Sequence, residues 1–199
     1  MRTLVLFPTA MEAAGFAYPG VEAMVSGVGL AATAVTTTRL IHTHNVDLLI
    51  LAGIAGVYPD SRFEVGDVVL VASETDADLG FFHRGGFSHL SQIDLGMDIA
   101  VPPRYDCPYL PEEPPLSLAH SNTLNAALAP HAALAGIDIE NMEGAAFFHA
   151  CLEGDQRFLE VRAISNEAVI DHLPWDFAGS IVSLHRGLTV LLDALEVGS

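Results

Sequence analysis

Residues Val21–Gly56 read VEAMVSGVGLAATAVTTTRLIHTHNVDLLILAGIAG. Three kinds of segment follow one another there. Val21–Ser26 is a β-rich run that closes on Gly27-Val28-Gly29, where a tight turn favours residues without a Cβ. Leu30–His44 opens with Ala31, Ala32 and Ala34, small residues that suit a helix lying close on a sheet. Asp47–Leu51 reads as a strand, apolar from Leu48 on as a strand covered on both faces should be, and runs into Ala52-Gly53-Ile54-Ala55-Gly56. Strand, helix and strand joined in this way predict a parallel crossover. The pattern extends outward in both directions. Thr3–Phe7 precedes it as a first strand. Asp67–Ser73, Leu116–Ser121, Ile137–Glu140 and Phe158–Ser165 follow as strands, with helices expected over Ala126–Leu134, Met142–Leu152 and Ser180–Leu195. The expected class is α/β, with a largely parallel sheet covered by helices, and 199 residues fit one domain spanning 1–199. Two stretches fall outside the alternation. Leu79–Ile99 mixes Gly and Phe with His and Arg, and Val101–Pro115 holds six of the eleven prolines. A long irregular segment of this kind in a compact domain is usually a functional loop or a disordered one.

Composition narrows the partners. Asp and Glu total 25 against 8 Lys and Arg, for a formal charge of −17, and all eight cations are Arg. Such a chain has no large basic face with which to displace counterions from nucleic acid, and an anionic membrane surface repels it. Cys107 and Cys151 make no disulfide framework and no C-x-x-C motif. The apolar run at the N-terminus stops at Pro8, short of the ~7–15 residues of a secretory core, and no run reaches the ~18 apolar residues of a membrane span. A cytoplasmic location is expected.

Several residues stand out chemically. Gly27-Val28-Gly29-Leu30-Ala31-Ala32 matches G-x-G-x-x-A and invites a dinucleotide reading, but Asp47, at the right distance, opens its strand instead of ending it. A plain turn, or backbone N–H groups facing a ligand's hydroxyls at a helix N-terminus, remain as alternatives. Glu12 follows the C-terminal end of the first strand, where open α/β sheets bind ligands. Glu143, in Asn141-Met142-Glu143-Gly144-Ala145-Ala146, opens an otherwise apolar helix. It complements the dipole there or points into the same crevice. Arg162 lies in an apolar strand and needs an anion, for which Glu12 and Glu143 are the natural candidates. His42 and His44, two apart, sit on different helix faces, and no H-E-x-x-H occurs. No metal and no cofactor are expected.

Four segments taken together resemble the purine nucleoside phosphorylase and nucleosidase family. They are Ala10-Met11-Glu12, Ser26–Gly29, Gly53–Gly56 with Val65–Val69, and Asn141–Ala146 with Val161–Asn166, in the family's order over nearly the whole chain. Within it, Glu74-x-x-Ala77-Asp78-Leu79-Gly80 and Asn141–Phe148 are similar to the futalosine hydrolase branch. The resemblance implies a single-domain, three-layer α/β/α fold around a mixed, largely parallel central sheet. It also implies cleavage of the N-ribosyl bond of futalosine to hypoxanthine and dehypoxanthine futalosine, a step of menaquinone biosynthesis. The roles it implies are water activation by Glu12, orientation by Arg162 and base recognition by Asn166. Substrate contacts are implied for Glu143 (on the ribose hydroxyls), Met142, Ala55, Gly56, Asn141 and Met11. Adenine nucleosidases of the family carry Asp where Asn166 stands, so Asn166 favours a 6-oxopurine. Phosphorylases place an Arg and a Ser where this chain has Leu51 and Ile54, so water is the expected nucleophile. The resemblance further implies that Glu74–Gly80 lines a pocket for the 5′ substituent. His83, Arg84 or His172 are candidates to meet its carboxylate, Trp175 to wall the base pocket, and Phe87 or Tyr105 to stack on the base. The partner is a small purine nucleoside, and a homodimer or higher homo-oligomer is implied.

Overall fold

The computed structural model describes residues 1–94, 96, 101–128, 132, 135–169 and 175–197. The first crossover forms as expected. β1 (Thr3–Phe7) pairs in parallel with β2 (Val21–Val25) and with β3 (Leu48–Val57), and α2 (Leu30–Thr43) follows β2. A single turn of helix, α1 (Ala10–Ala13), interrupts the path from β1 to β2. Beyond β3 the sheet continues through β4 (Val68–Asp76), β7 (Tyr105–Asp106), β8 (Ser117–Thr123), β9 (Ile139–Asn141) and β10 (Phe158–Glu167). It is mixed. β10 runs parallel to β3 but antiparallel to β4, and β9 is antiparallel to β3. The pairings β3–β10–β4–β8–β9 return to β3, so five strands close on themselves while β1 and β2 extend the sheet to one side.

Burial explains the strand sequences. All five residues of β1 are buried, as are the first nine of β10, because helices or closing strands cover both faces. α3 (Gly144–Glu153) packs against α2 and the β4–β8 side, and α4 (Phe177–Ala194) lies on β10, β3 and β4. Phe147, Phe148 and Phe158 meet edge-on in the core beneath α3. This is the expected three-layer α/β fold.

Three local features differ from the expectation. The strand expected over Asp47–Leu51 is longer, continuing through the glycine-rich Gly53–Gly56 segment and paired with β10 as far as Glu167. The helix expected from Met142 begins at Gly144, because the Asn141 side chain takes the capping position described below. Leu79–Ile99 holds a hairpin, β5 (Gly80–His83) with β6 (Gly86–His89), and a 3₁₀ turn at Leu90–Gln92. Of the helix expected over Ala126–Leu134, residues 129–131, 133 and 134 lie outside the described residues. Leu128 adopts φ 62°, which a helix does not allow. No helix among the described residues is long and apolar enough to cross a membrane.

Candidate active site

Glu12 is placed by a capping box. Thr9 is the N-cap of α1; its Oγ1 accepts from the Glu12 N–H at 3.2 Å. In return Glu12 Oε2 accepts from the Thr9 N–H at 3.0 Å and from Thr9 Oγ1 at 2.6 Å. A capping box fixes both residues at once. Glu12 Oε1 accepts from the Ile54 N–H at 3.1 Å, which ties α1 to the glycine segment of β3. The carboxylate is thus gripped by three donors, and Glu12 is only 5% exposed although a Glu at a helix start is ordinarily solvated.

Glu143 is held from the other side of the sheet end. It is the N-cap residue of α3, yet its side chain makes no capping bond. Asn141 caps instead, its Oδ1 accepting from the N–H groups of Glu143 (2.8 Å) and Gly144 (2.7 Å). The freed Glu143 carboxylate reaches across, accepting from the Gly29 N–H at 3.0 Å and from Arg162 Nη1 at 3.2 Å. Gly27 and Gly29 both have φ +90°, so the glycine motif is a left-handed turn that aims an N–H at this carboxylate. Neither a dinucleotide phosphate nor an empty turn accounts for it as directly.

Arg162 is 1% exposed and makes four hydrogen bonds. Its Nε donates to Glu160 at 2.7 Å, Nη1 to Glu143 and the Ile54 carbonyl, and Nη2 to Asn141 Oδ1 at 3.0 Å. Of the two expected anions Glu143 is a partner; Glu12 makes no ion pair with it, and Glu160 takes that place. Burial alone would depress the guanidinium, but Glu160 and Glu143 more than offset this, and it stays charged. Glu12 and Arg162 nevertheless meet at Gly53. A Cβ there would stand 2.5 Å from Arg162 Nη1 and 3.2 Å from Glu12 Oε1. Gly53 is the gap through which two charged side chains approach the same backbone.

Asn166 is aimed by a bulge. The β10–β3 register shifts between Ile164 and Asn166, so Ser165 is the extra residue. Ser165 Oγ donates to the Ala55 carbonyl or to Asn166 Oδ1, and Asn166 Nδ2 donates to the Glu167 carbonyl. Gly56 is what lets the amide sit there, since a Cβ on it would meet Nδ2 at 3.1 Å.

These side chains line one cavity of about 340 Å³, together with Met11, Met142, Ala55 and Gly56. Asn141 borders it too, but its Nδ2 is spent on Glu74 (2.6 Å) and Ser121 (2.8 Å), so its amide is committed to protein partners on both sides. Trp175 lines the cavity, as do Phe177 and Ile181 of α4. The remaining expectations fare differently. No residue of Glu74–Gly80 lines it; Glu74 is buried beneath the site. His83 hydrogen-bonds Ser88 in the hairpin, and neither it nor Arg84 borders the cavity. His172 lies outside the described residues. Phe87 packs on Phe82, and Tyr105 stacks on His149. Among the described residues, the aromatic rings at this cavity are those of Trp175 and Phe177.

Three further acids lie at or beneath the site, and two of them, Glu140 and Glu160, escape a reading by motif. Glu140 lines the cavity beside Gly56, accepting from Tyr58 Oη (2.9 Å) and the Leu128 N–H (2.8 Å), and burial raises its carboxyl above the usual range. Glu74 and Glu160 lie in the interior. Glu160 carries a signal that spacing could have supplied. It stands two residues before Arg162, hence on the same face of the strand. Among the described residues no cluster of His, Cys, Asp and Glu has metal-binding geometry.

The phosphorylase superfamily model matches residues 18–132, more than half of the chain. The chain is also 32% identical to futalosine hydrolase of Thermus thermophilus, across 92% of this chain and 83% of that protein. The chain belongs to the phosphorylase superfamily. Solved structures of nucleosidases share its fold. One is the 5′-methylthioadenosine/S-adenosylhomocysteine nucleosidase of S. pneumoniae, with 19% identity, a TM-score of 0.75 and complete coverage of both chains. Another is its counterpart from Neisseria meningitidis, with 15% identity and a TM-score of 0.72, covering 98% of this chain and 100% of that one. The superfamily match ends before Glu143, Arg162 and Asn166 and begins after Glu12, so their roles rest on geometry and chemistry.

Proposed function

We propose that this phosphorylase-superfamily chain is a hydrolase that cleaves the N-ribosyl bond of futalosine, releasing hypoxanthine and dehypoxanthine futalosine for menaquinone biosynthesis. The observation that carries the reading is the convergence of Glu12, Glu143 and Asn166, far apart in sequence, on one cavity. N-ribosyl cleavage passes through an oxocarbenium-like state. Glu12, pinned by Thr9 and Ile54, accepts the proton of the attacking water. Each Glu143 oxygen keeps a free lone pair after bonding Gly29 or Arg162, which suits two ribose hydroxyls. The thioether of Met142 borders the sugar. Asn166 retains one N–H donor and one oxygen lone pair beyond its protein bonds, matching the O6 acceptor and N1–H donor of a 6-oxopurine.

Water is favoured over phosphate as nucleophile. Arg162 is the one cation among the described lining residues, and four of its five N–H groups already donate to Glu160, Glu143, Asn141 and the Ile54 carbonyl. A phosphate dianion requires free donors or cations. Incubation with futalosine, inosine and methylthioadenosine, each with and without phosphate, tests the reading. Phosphate-independent release of hypoxanthine from futalosine supports it; phosphate-dependent release, or release of adenine alone, contradicts it.

Asn166→Asp replaces the donor facing O6 by an acceptor. Preference is expected to move toward 6-amino nucleosides by about 10-fold or more, since a mismatched buried polar pair costs ~1–3 kcal/mol. The ratio of kcat/KM for inosine and adenosine reads this directly, and an unchanged ratio contradicts the role given to Asn166. The cavity rim is apolar and open, with Met11 66% and Phe177 46% exposed. This favours a homodimer or higher homo-oligomer that covers the rim; sedimentation equilibrium showing a monomer at assay concentration would rule that out.

A further inference from the structure

Beneath the cavity, the start of α3 rests on two acids that the proposed chemistry does not use. Glu74 on β4 and Glu160 on β10 are both completely buried. Glu74 Oε1 accepts from Asn141 Nδ2 at 2.6 Å, and its Oε2 from Thr123 Oγ1 at 2.7 Å. Glu160 Oε1 accepts from Arg162 Nε at 2.7 Å, but its Oε2 meets no N–H or hydroxyl donor among the described residues. The two carboxyls lie side by side over Gly144. A Cβ on that glycine would overlap the Glu74 carboxyl and come within 2.8 Å of Glu160 Oε1.

Two anions in contact in a dry interior repel strongly, and a buried oxygen without a donor is costly. One proton removes both difficulties. Carried by Glu74, it is donated to Glu160 as a charge-assisted hydrogen bond. We propose that Glu74 and Glu160 share a single proton, carried by Glu74, and that the pair is a positioning element for Glu143.

Both members reach Glu143 through one intermediary. Glu74 holds the amide of Asn141, whose Oδ1 binds the Glu143 N–H and Arg162 Nη2. Glu160 holds Nε of Arg162, whose Nη1 binds the Glu143 carboxylate. Burial, and then the neighbouring Glu160, push the Glu74 carboxyl well above the usual range; burial also raises Glu160, with Arg162 pulling the other way. The other titratable or charged groups facing the pair are Glu143 and Arg162, Tyr58, Tyr105 and Cys107 from the surrounding strands and loops, and Cys151 from α3. Burial raises the tyrosines and both thiols, Cys107 to about 11, so these four stay neutral near pH 7 and do not compete for the proton.

The consequence for turnover rests on the ribose-gripping role proposed for Glu143; the shared proton does not. The infrared difference spectrum between wild type and Glu74→Gln at neutral pH tests the proton itself. A protonated-carboxyl C=O stretch present in wild type and lost in Glu74→Gln is expected; its absence from wild type overturns the proposal. Turnover of futalosine tests the positioning. Glu74→Ala is expected to lower kcat about tenfold or more, as small displacements of binding groups do. Glu74→Gln, whose amide donates to Glu160 at any pH, is expected to restore it and to lack the alkaline fall expected of wild type. An unchanged alkaline limb, or no rescue by Gln, overturns the positioning role. The sign of the stability effect is fixed as well. An unfolded Glu gives up its proton near pH ~4.3, whereas folded Glu74 keeps it, so Glu74's contribution is lost as pH rises toward its raised folded pKa. Glu74→Gln lacks that loss and is expected to melt above wild type at neutral pH, by a margin that widens with pH. A margin that is absent or narrows with pH overturns the proposal, and the Gln variant keeps the side-chain shape should the Ala variant not fold. A wild type that releases no base from futalosine overturns the functional reading instead, and leaves the infrared and melting results to judge the proton.

Discussion

Glu12→Gln is expected to slow cleavage of the nucleoside by about 10²-fold or more, in the range that a positioned general base contributes. The substitution is isosteric, so the cavity keeps its size. What it changes is chemistry. A carboxylate receives hydrogen bonds at both oxygens and still has a lone pair to accept the proton of water. An amide has one such oxygen and an NH2 that must face an acceptor. Glu12 here receives three donors, the Thr9 N–H, Thr9 Oγ1 and the Ile54 N–H. Gln therefore also loses part of the capping box, a loss of about 1 kcal/mol. The two effects separate in measurement. The capping loss lowers Tm by a few degrees, whereas the missing base lowers kcat with KM little changed. Wild-type kcat in Glu12→Gln would remove Glu12 from the mechanism, whatever the Tm.

The largest stability effect is expected at Arg162. Arg162→Met keeps an unbranched side chain of similar reach but leaves Glu160 and Glu143 buried without their cation. Removing one partner of a buried ion pair costs about 3–5 kcal/mol. For a chain of this length each kcal/mol moves Tm by about 2–4 °C, so a fall of about 6–20 °C is expected. In the variant Glu160 loses the neighbouring charge that pulled its pKa down, and its folded pKa rises. Stability tied to a raised pKa is present at low pH and lost as pH rises. The gap to wild type should therefore be smallest in mild acid and grow toward neutral pH. A Tm within about 2 °C of wild type would show that the Arg162 network holds nothing together.

Much of the fold was legible because it depends on local pattern. The apolar runs at Thr3–Phe7 and Leu48–Leu51 are buried on both faces and say so in their composition. The glycines between Ser26 and Leu30 mark a strand-to-helix turn, and their φ of +90° explains why Gly stands there. Closure of five strands into a ring was not legible, since it is set by pairings between residues up to about a hundred positions apart. The site divides in the same way. Glu12, Glu143 and Arg162 stood out by position, the roles of all four, Asn166 included, came from resemblance, and the structure brings them to one cavity. Asn166 reaches it only through the bulge at Ser165, a one-residue register shift that no periodicity announces. The resemblance implied a substrate contact for Asn141, which borders the cavity; its side chain also works as a helix cap and a clamp. The resemblance put Glu74 at the 5′ pocket; it is buried instead, surrounded by Asn141, Thr123 and Glu160.

The most direct test of the central claim is to run the reaction in ¹⁸O-labelled water, with futalosine as substrate and no phosphate present, and to weigh both products. If Glu12 delivers water to the sugar, hypoxanthine appears unlabelled and the ribosyl product carries one ¹⁸O at its anomeric hydroxyl. Intact futalosine under these conditions, or base release only once phosphate is added, would contradict the account.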